Sequence, residues 1–270
     1  MTYKKSFFLI SIFSCFLVLS GCNSYDKLLK SNDVTLKYRA AIEFFDKGNY
    51  GQALPLLEDV YKFYIGTSQA ETVSYDLAYS YYKVGEYSLG AFQFKTFAEG
   101  YPLSKYTEDA SYYYAYCLFL DSPESELDQG STKSAIEAFQ LFVDKYPSSK
   151  RVDECNKNID LLANKLEKKE VNNAVLYYKI EQYKAAVWAI RNALEDYPAT
   201  KDREHLSYLV VKSSYLYALN SVEEKKIERF TSTLAYYGDF KEKFPKSEYD
   251  PELDGIVKEC NLNIKQLTKK

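Results

Sequence analysis

The chain has 270 residues, of which 27% are charged and 46% hydrophobic, and its formal net charge of −3 disfavours nucleic-acid binding, which requires a basic surface. Its 10 Gly and 7 Pro are too few for a disordered chain or for the frequent turns of an all-β protein. A single His disfavours His-based catalytic triads and multi-His metal sites, whereas 28 Tyr and 16 Phe indicate that aromatic rings dominate packing or binding.

The first 21 residues show the order of features that is typical of a bacterial lipoprotein signal peptide. Lys4 and Lys5 precede an apolar run over 7–20. This run is shorter than the roughly 20 residues that span a bilayer, but it has the length of the apolar region of a signal peptide. It ends at 19–22 in a Leu-Ser-Gly-Cys sequence, which resembles the lipobox, where the cysteine receives the lipid. The alternative is an ordinary secretory signal peptide that contains a cysteine.

We therefore expect a signal peptide over 1–21, lipidation with palmitate at Cys22 and a lipidated tether over 22–33. Several acyl chains would anchor the protein firmly, because each buried CH₂ contributes about 0.8 kcal/mol. Asn23 follows the cysteine, and by resemblance to the sorting rules of Gram-negative bacteria this residue favours the outer membrane. No acidic run of the kind that sends some lipoproteins to the cell surface follows it. The expected location is the periplasmic face of the outer membrane.

A motif of an aromatic residue, Pro, any residue and a small hydroxyl residue occurs four times, at 101–104, 146–149, 197–200 and 244–247. A small residue lies twelve positions before each Pro, and apolar residues follow it after four and seven positions. The small residues are Gly90, Ala135, Ala186 and Thr233. These offsets follow one face of an α-helix. We expect the Pro to end this helix and the hydroxyl residue to N-cap the next helix.

The residues before each of these helices form a second recurring pattern, seen over 78–87 and 174–183, and a divergent first copy spans 41–65. Each unit is therefore helix, tight turn, helix, which resembles the tetratricopeptide repeat of 34 residues. The sequence predicts an all-α fold, a tetratricopeptide-repeat superhelix (α-solenoid) of about five helix-turn-helix units over 34–268.

The copies are spaced more widely than 34 residues, so we expect lengthened elements. One is an enlarged turn over 121–131, where Ser-Pro and Gln-Gly pairs interrupt the helical pattern. The others are long helices, expected over 149–180, 203–220 and 222–244.

In tetratricopeptide folds the first helix of each unit lines a concave groove. The residues three before, one after and four after its small residue face that groove. Relative to Ala41, Ala78 and Ala115, eight of these nine residues are aromatic. An aromatic groove suits an extended peptide with aromatic or aliphatic alternate side chains, and the alternative is ordinary packing of the superhelix. The predicted groove residues are Tyr38, Tyr75, Tyr79, Tyr82, Tyr112 and Tyr116.

No catalytic or metal constellation is apparent. Cys117, Cys155 and Cys260 remain after the signal peptide and the lipidated cysteine, and three cysteines cannot all pair, so we expect free, buried thiols. His205 is expected to be exposed or half-buried without a catalytic role. No nucleotide-binding, zinc-protease or serine-hydrolase motif occurs. We predict no enzyme activity, no cofactor and no metal site.

The lipobox, the repeat number and the aromatic-Pro motif together resemble the BamD family, the lipoprotein subunits of the outer-membrane β-barrel assembly machinery. The resemblance covers essentially the whole chain. It implies a non-enzymatic adaptor whose N-terminal repeats, 34–148, receive unfolded outer-membrane proteins. Its C-terminal repeats, 149–270, would dock on the central barrel subunit, BamA, through contacts within 170–268. The substrate role falls to the predicted groove tyrosines, and no nucleic-acid partner is expected.

The alternative is another periplasmic tetratricopeptide lipoprotein adaptor, acting in cell division or polysaccharide transport. Division coordinators of this kind usually carry an N-terminal coiled coil, for which residues 23–34 are too short. Carbohydrate-capturing helical lipoproteins are usually much longer.

Overall fold

The computed structural model describes residues 24–269, which are mostly helical and include no β-strand. The predicted all-α fold is therefore confirmed. The signal peptide over 1–21 and Cys22 lie outside the described residues. The helices are α1 over 24–29, α2 Val34–Asp46, α3 Tyr50–Tyr64, α4 Ala70–Val84, α5 Tyr87–Gly100, α6 Thr107–Leu120, α7 Gly130–Lys145, α8 Val152–Lys179, α9 Tyr183–Asp196, α10 Arg203–Leu219, α11 Glu223–Lys243 and α12 Asp250–Leu267. Within residues 24–269, no helix combines the length and apolarity that crossing a membrane requires.

The repeated small residues lie where neighbouring helices pack most closely, as the tetratricopeptide pattern predicts. Ala53, Ala135, Ala186 and Thr233 are completely buried. At Gly90, a Cβ atom would lie 3.2 Å from the Cys117 Sγ atom and 3.3 Å from the Tyr82 backbone nitrogen. Glycine is therefore needed where α5 approaches α4 and α6.

The aromatic-Pro motif ends the second helix of each hairpin, as predicted. The helices α5, α7, α9 and α11 end at Gly100, Lys145, Asp196 and Lys243, each two residues before the Pro of its motif. The residue before a Pro is disfavoured in the α conformation, and the helix therefore stops there. The three long helices are also confirmed as α8, α10 and α11.

The prediction that the hydroxyl residue N-caps the next helix is wrong. Ser104 Oγ accepts a hydrogen bond from the backbone N–H of Tyr106 at 3.0 Å, and its carbonyl accepts one from Thr107 at 3.1 Å. The hydroxyl therefore closes a turn that precedes the helix. The same hydroxyl-to-backbone turn recurs at Ser149, Thr200 and Ser247.

The described chain divides into two compact units, with the division inside α8. The first unit extends to Leu162 except for 124–127, and the second comprises 124–127 together with the residues from Ala163 onward. The predicted division at 148/149 separates functional roles, not compact units, and stays a prediction. The first unit has three clusters of buried side chains and the second has one.

Candidate peptide-binding groove

Five of the six predicted groove tyrosines form one continuous row of rings in the first unit, here called the aromatic band. On α4 and on α6 these residues are spaced three or four positions apart, so each set shares one helix face. Successive ring centroids lie 6.1, 5.7, 6.1 and 5.5 Å apart in the order Tyr75, Tyr79, Tyr82, Tyr116 and Tyr112. These separations are within the range of direct aromatic contact.

Two of the predicted residues differ from the others in their surroundings. The Tyr38 ring stacks on Tyr64, with centroids 4.6 Å apart, and has no ring contact with the aromatic band within the described residues. Tyr112 is only 3% exposed, and its hydroxyl donates a hydrogen bond to Glu154 Oε1 at 2.8 Å. Tyr112 therefore forms part of the buried base of the band. The other four band tyrosines are half-buried and form its accessible surface.

Tyr113 is a central member of this cluster that the sequence analysis did not select. Its ring centroid lies 5.3 Å from that of Tyr79, 5.0 Å from that of Tyr82 and 5.3 Å from that of Phe94. Tyr113 lies two residues before Ala115, a position that the groove rule leaves out. It joins the rings of α4 to those of α6.

Helices α2 and α3 extend the cluster through residues other than Tyr38. The ring of Phe45 lies 5.9 Å from Tyr79, and the ring of Tyr50 lies 5.7 Å from Tyr79. Phe45 was among the nine groove positions of the sequence pattern, whereas Tyr50 was not. The contact between α2 and the band is thus made four residues after Ala41, not three residues before it.

Two cations accompany the rings. Lys83 Nζ lies 5.6 Å from the Tyr50 ring centroid and 5.8 Å from those of Tyr79 and Tyr82. These distances allow cation–π attraction, and Lys83 is exposed. At the Tyr112 end of the band, the Arg151 guanidinium lies 4.0 Å from the Tyr112 centroid and donates to Asp109 Oδ1 at 2.6 Å. Arg151 is already paired with Asp109, whereas Lys83 is an exposed cation beside the rings.

Tyr75 and Tyr79 are neutral hydrogen-bond donors at physiological pH, because their surroundings raise their pKa values. Burial is the main cause of the raised pKa of Tyr75, with a further contribution from the Asp109 carboxylate. Burial and then the neighbouring Tyr113 raise the pKa of Tyr79. A phenol that keeps its proton can donate to the carbonyl groups of a bound backbone.

Beside the band lies a buried carboxyl group, that of Asp76, which is 7% exposed. Burial first, and then the Asp46 carboxylate, raise its pKa from 3.8 to about 7. Asp76 lies two residues before Ala78, so it occupies in α4 the position that Tyr113 occupies in α6.

The remaining candidates of the sequence analysis have structural surroundings. Cys117, Cys155 and Cys260 are free and completely buried, as predicted. Burial raises the pKa of Cys117 to about 12, so its thiol stays protonated and packs as an apolar group. His205 is exposed, with Nδ1 3.0 Å from the Tyr249 hydroxyl. Within residues 24–269, no group of three or more His, Cys, Asp or Glu side chains is placed to hold a metal ion.

Comparison with known families decides the affiliation of the chain. Residues 30–229 match the model of the YfiO family, described as an outer membrane lipoprotein. The chain belongs to this family. It is similar to the outer membrane protein assembly factor BamD of Caulobacter vibrioides, with 23% identity over 212 residues, 77% of this chain and 69% of that protein. The resemblance to BamD inferred from the sequence is thereby confirmed.

A second relative of this YfiO-family chain is the outer membrane protein assembly factor BamD of Rickettsia prowazekii. The two are 25% identical over 224 residues, which cover 82% of this chain and 86% of that protein. Among solved structures, the tetratricopeptide domain of P58(IPK) aligns with a TM-score of 0.40 and 12% identity, covering 91% of this chain and 69% of that one. The repeat assignment itself rests on the helical hairpins and their buried small residues.

Proposed function

We propose that this chain is an adaptor in outer-membrane protein assembly, without enzymatic activity. Its aromatic band would bind segments of unfolded outer-membrane proteins, and its second unit would dock on a BamA-like barrel subunit. A lipid on Cys22 would hold it at the periplasmic face of the outer membrane. Membership of the YfiO family and the similarity to BamD assembly factors support this role.

The observation that carries the substrate proposal is the spacing of the aromatic band. Side chains on one face of an extended chain repeat about every 6.6 Å, which is twice the rise of about 3.3 Å per residue. Adjacent ring centroids from Tyr75 to Tyr116 are 5.7 to 6.1 Å apart. The three rings of α4, Tyr75, Tyr79 and Tyr82, share one helix face, so they can contact alternate side chains of one extended segment while phenol hydroxyls donate to its carbonyl groups.

The charge of Lys83 adds an electrostatic contact to this binding mode. Its ammonium group lies near the rings of Tyr50, Tyr79 and Tyr82 and is exposed. A carboxylate of the bound segment would be attracted to it. Holding an exposed β-strand in such a site would shield its unpaired edge from aggregation until a barrel edge became available.

Peptide binding to paired variants tests the band. We would measure fluorescence anisotropy of a labelled ten-residue peptide with alternating aromatic residues, using the double variant Tyr79→Ala and Tyr82→Ala. Aromatic contacts contribute about 0.5–1.5 kcal/mol each beyond burial, so we expect the affinity to fall by about tenfold or more. Phe92→Ala is the control, because this ring is 63% exposed on α5, in the same unit. Equal affinities of the parent and the double variant would contradict the proposal.

The assembly role needs a test that does not depend on the band. We would isolate the lipidated protein from gently solubilised envelopes and identify the proteins that co-purify in stoichiometric amounts. A large outer-membrane barrel with repeated periplasmic domains is expected. A division or polysaccharide-transport component in its place would favour the alternative adaptor function.

A further inference from the structure

The first described helix, α1, packs against the first helical hairpin and is here called the anchor helix. Its Tyr25 hydroxyl donates a hydrogen bond to the Gln52 carbonyl at 2.8 Å, and the Tyr25 ring meets the Phe44 ring edge-on with centroids 5.6 Å apart. Leu28 and Leu29 pack against the buried cluster of α2, α3 and α4. The anchor helix is therefore held by a hydrogen bond and by the burial of apolar side chains.

The two faces of the anchor helix differ in character. Its three large apolar side chains are partly buried against the hairpin, whereas Asp26 and Lys27 are exposed. An array of repeats leaves an apolar surface at its end unless a terminal element covers it. The anchor helix covers the end that α2 and α3 form. The predicted tether over 22–33 therefore includes a segment that belongs to the fold.

This docking restricts where a lipid on Cys22 can lie. Cys22 precedes Ser24, the first residue of the anchor helix, by two positions, and two residues span at most about 7 Å. The contacts of Tyr25 place this helix beside the end of α2 and the beginning of α3, because Phe44 and Gln52 lie on either side of the turn between them. A lipid on Cys22 is therefore confined to that end of the hairpin.

From these contacts we propose that the anchor helix holds the α2–α3 turn, residues 47–49, against a lipid surface. The inference rests on the proposed function, in which Cys22 carries the lipid. All three residues of the turn are exposed. The opposite end of the hairpin, at the α3–α4 connection, lies about 22 Å further along the 15 residues of α3. This distance is well beyond the reach of the two residues that join the lipid to the anchor helix.

The same end of the hairpin contacts the aromatic band. The rings of Phe45 and Tyr50, on either side of the turn, lie 5.3 Å apart. Their centroids are 5.9 and 5.7 Å from that of Tyr79. A segment bound to this part of the band would therefore be held close to the lipid surface, where a membrane protein must insert.

Fluorescence quenching by labelled lipid tests this orientation. Because Cys117, Cys155 and Cys260 are completely buried, a single surface cysteine of the lipidated protein can be labelled with bimane. The two labelling sites are Lys47→Cys, in the turn, and Ser68→Cys, at the opposite end of α3, both at exposed positions. The protein is reconstituted into vesicles of phosphatidylethanolamine and phosphatidylglycerol that contain a lipid with a spin-labelled headgroup. Quenching should be at least about twofold stronger at position 47, because about 22 Å of α3 separates the two labels.

The double variant Tyr25→Ala and Leu29→Ala removes contacts of the anchor helix. A released segment over 22–33 could span about 36 Å, which exceeds the length of α3. The difference in quenching between the two labels should therefore disappear. Lys27→Ala is the matched control, since Lys27 is exposed on the same helix, and it should keep the difference.

Equal quenching of the two labels in the lipidated parent would overturn the inference, whether or not the double variant folds. A quenching difference that persists in a folded double variant would show that the anchor helix does not orient the turn, and would also overturn it. The intact mass separates these results from a failure of the proposed function. If the mass shows no acyl chains on Cys22, the anchoring part of the proposed function fails and the inference fails with it.

Discussion

Asp76 offers a sharp test of the electrostatics beside the aromatic band, through the variant Asp76→Asn. Its carboxyl group is 7% exposed and has a pKa of about 7 in the folded chain, against an ordinary value of 3.8. Each pKa unit corresponds to about 1.36 kcal/mol, so the ionised carboxylate destabilises the fold by at most about 4 kcal/mol. The amide of Asn avoids this cost because it carries no charge at any pH.

The sign of the pH dependence follows from proton binding. Between about pH 4 and pH 7 the folded chain holds the Asp76 proton and the unfolded chain has lost it. The free energy of unfolding of the parent therefore falls as the pH rises through this window, and the contribution is constant above it. We expect Asp76→Asn to be more stable than the parent at pH 8, by up to about 4 kcal/mol, and to match it near pH 3.

Amide hydrogen exchange of α4 is the suitable measurement, because the chain has two compact units and a global transition would combine them. Parent and variant would be compared at the same pH at each point between 3 and 8. Asp160→Asn is the control, since Asp160 is exposed on α8 in the first unit; its effect should stay below about 0.5 kcal/mol. A stability difference for Asp76→Asn that is the same at every pH would refute the reasoning.

Two further substitutions test backbone geometry in the two units. Glu181→Gly should raise the stability of the second unit by about 1 kcal/mol, because it relieves a left-handed backbone at a non-glycine residue. The measurement is urea unfolding followed by Trp188 fluorescence. Unchanged stability would show that Glu181 is not strained. Gly90→Ala should destabilise the first unit by about 1–3 kcal/mol, since its Cβ would lie 3.2 Å from Cys117 Sγ. Amide hydrogen exchange of α5 checks this loss in the first unit, and unaltered exchange would mean that α5 shifts freely.

The helix ends and the buried faces were predictable because they depend on local rules. Pro102 ends α5 whatever helices pack against it. The positions of Phe94 and Phe97, four and seven residues after Gly90, identify the buried face of α5, and both rings are completely buried. The missed cap at Ser104 shows where such rules end. A hydroxyl near a helix start can close a preceding turn or cap the helix, and only the backbone path of that turn decides between them.

Contacts between repeats were harder to predict, since they depend on how far one helix is displaced along its neighbour. The helical period alone does not assign Tyr113 to the groove face of α6. Its ring contacts Tyr79 and Tyr82 because of the way α6 is placed beside α4. The exposure of Trp188 has the same origin. The spacing from Ala186 puts Trp188 outside the core, but it does not reveal whether another helix covers the ring.

The position two residues before the small residue explains where the aromatic band ends. In α6 this position is Tyr113, whose ring joins the rings of α4 to those of α6. In α4 it is Asp76, a buried carboxyl group that cannot continue a row of rings. The band accordingly reaches α2 through Phe45, while Tyr38 pairs with Tyr64 outside it. The ring contacts are therefore continuous between α4 and α6, whereas the corresponding position of α4 contributes a buried carboxyl group instead of a ring.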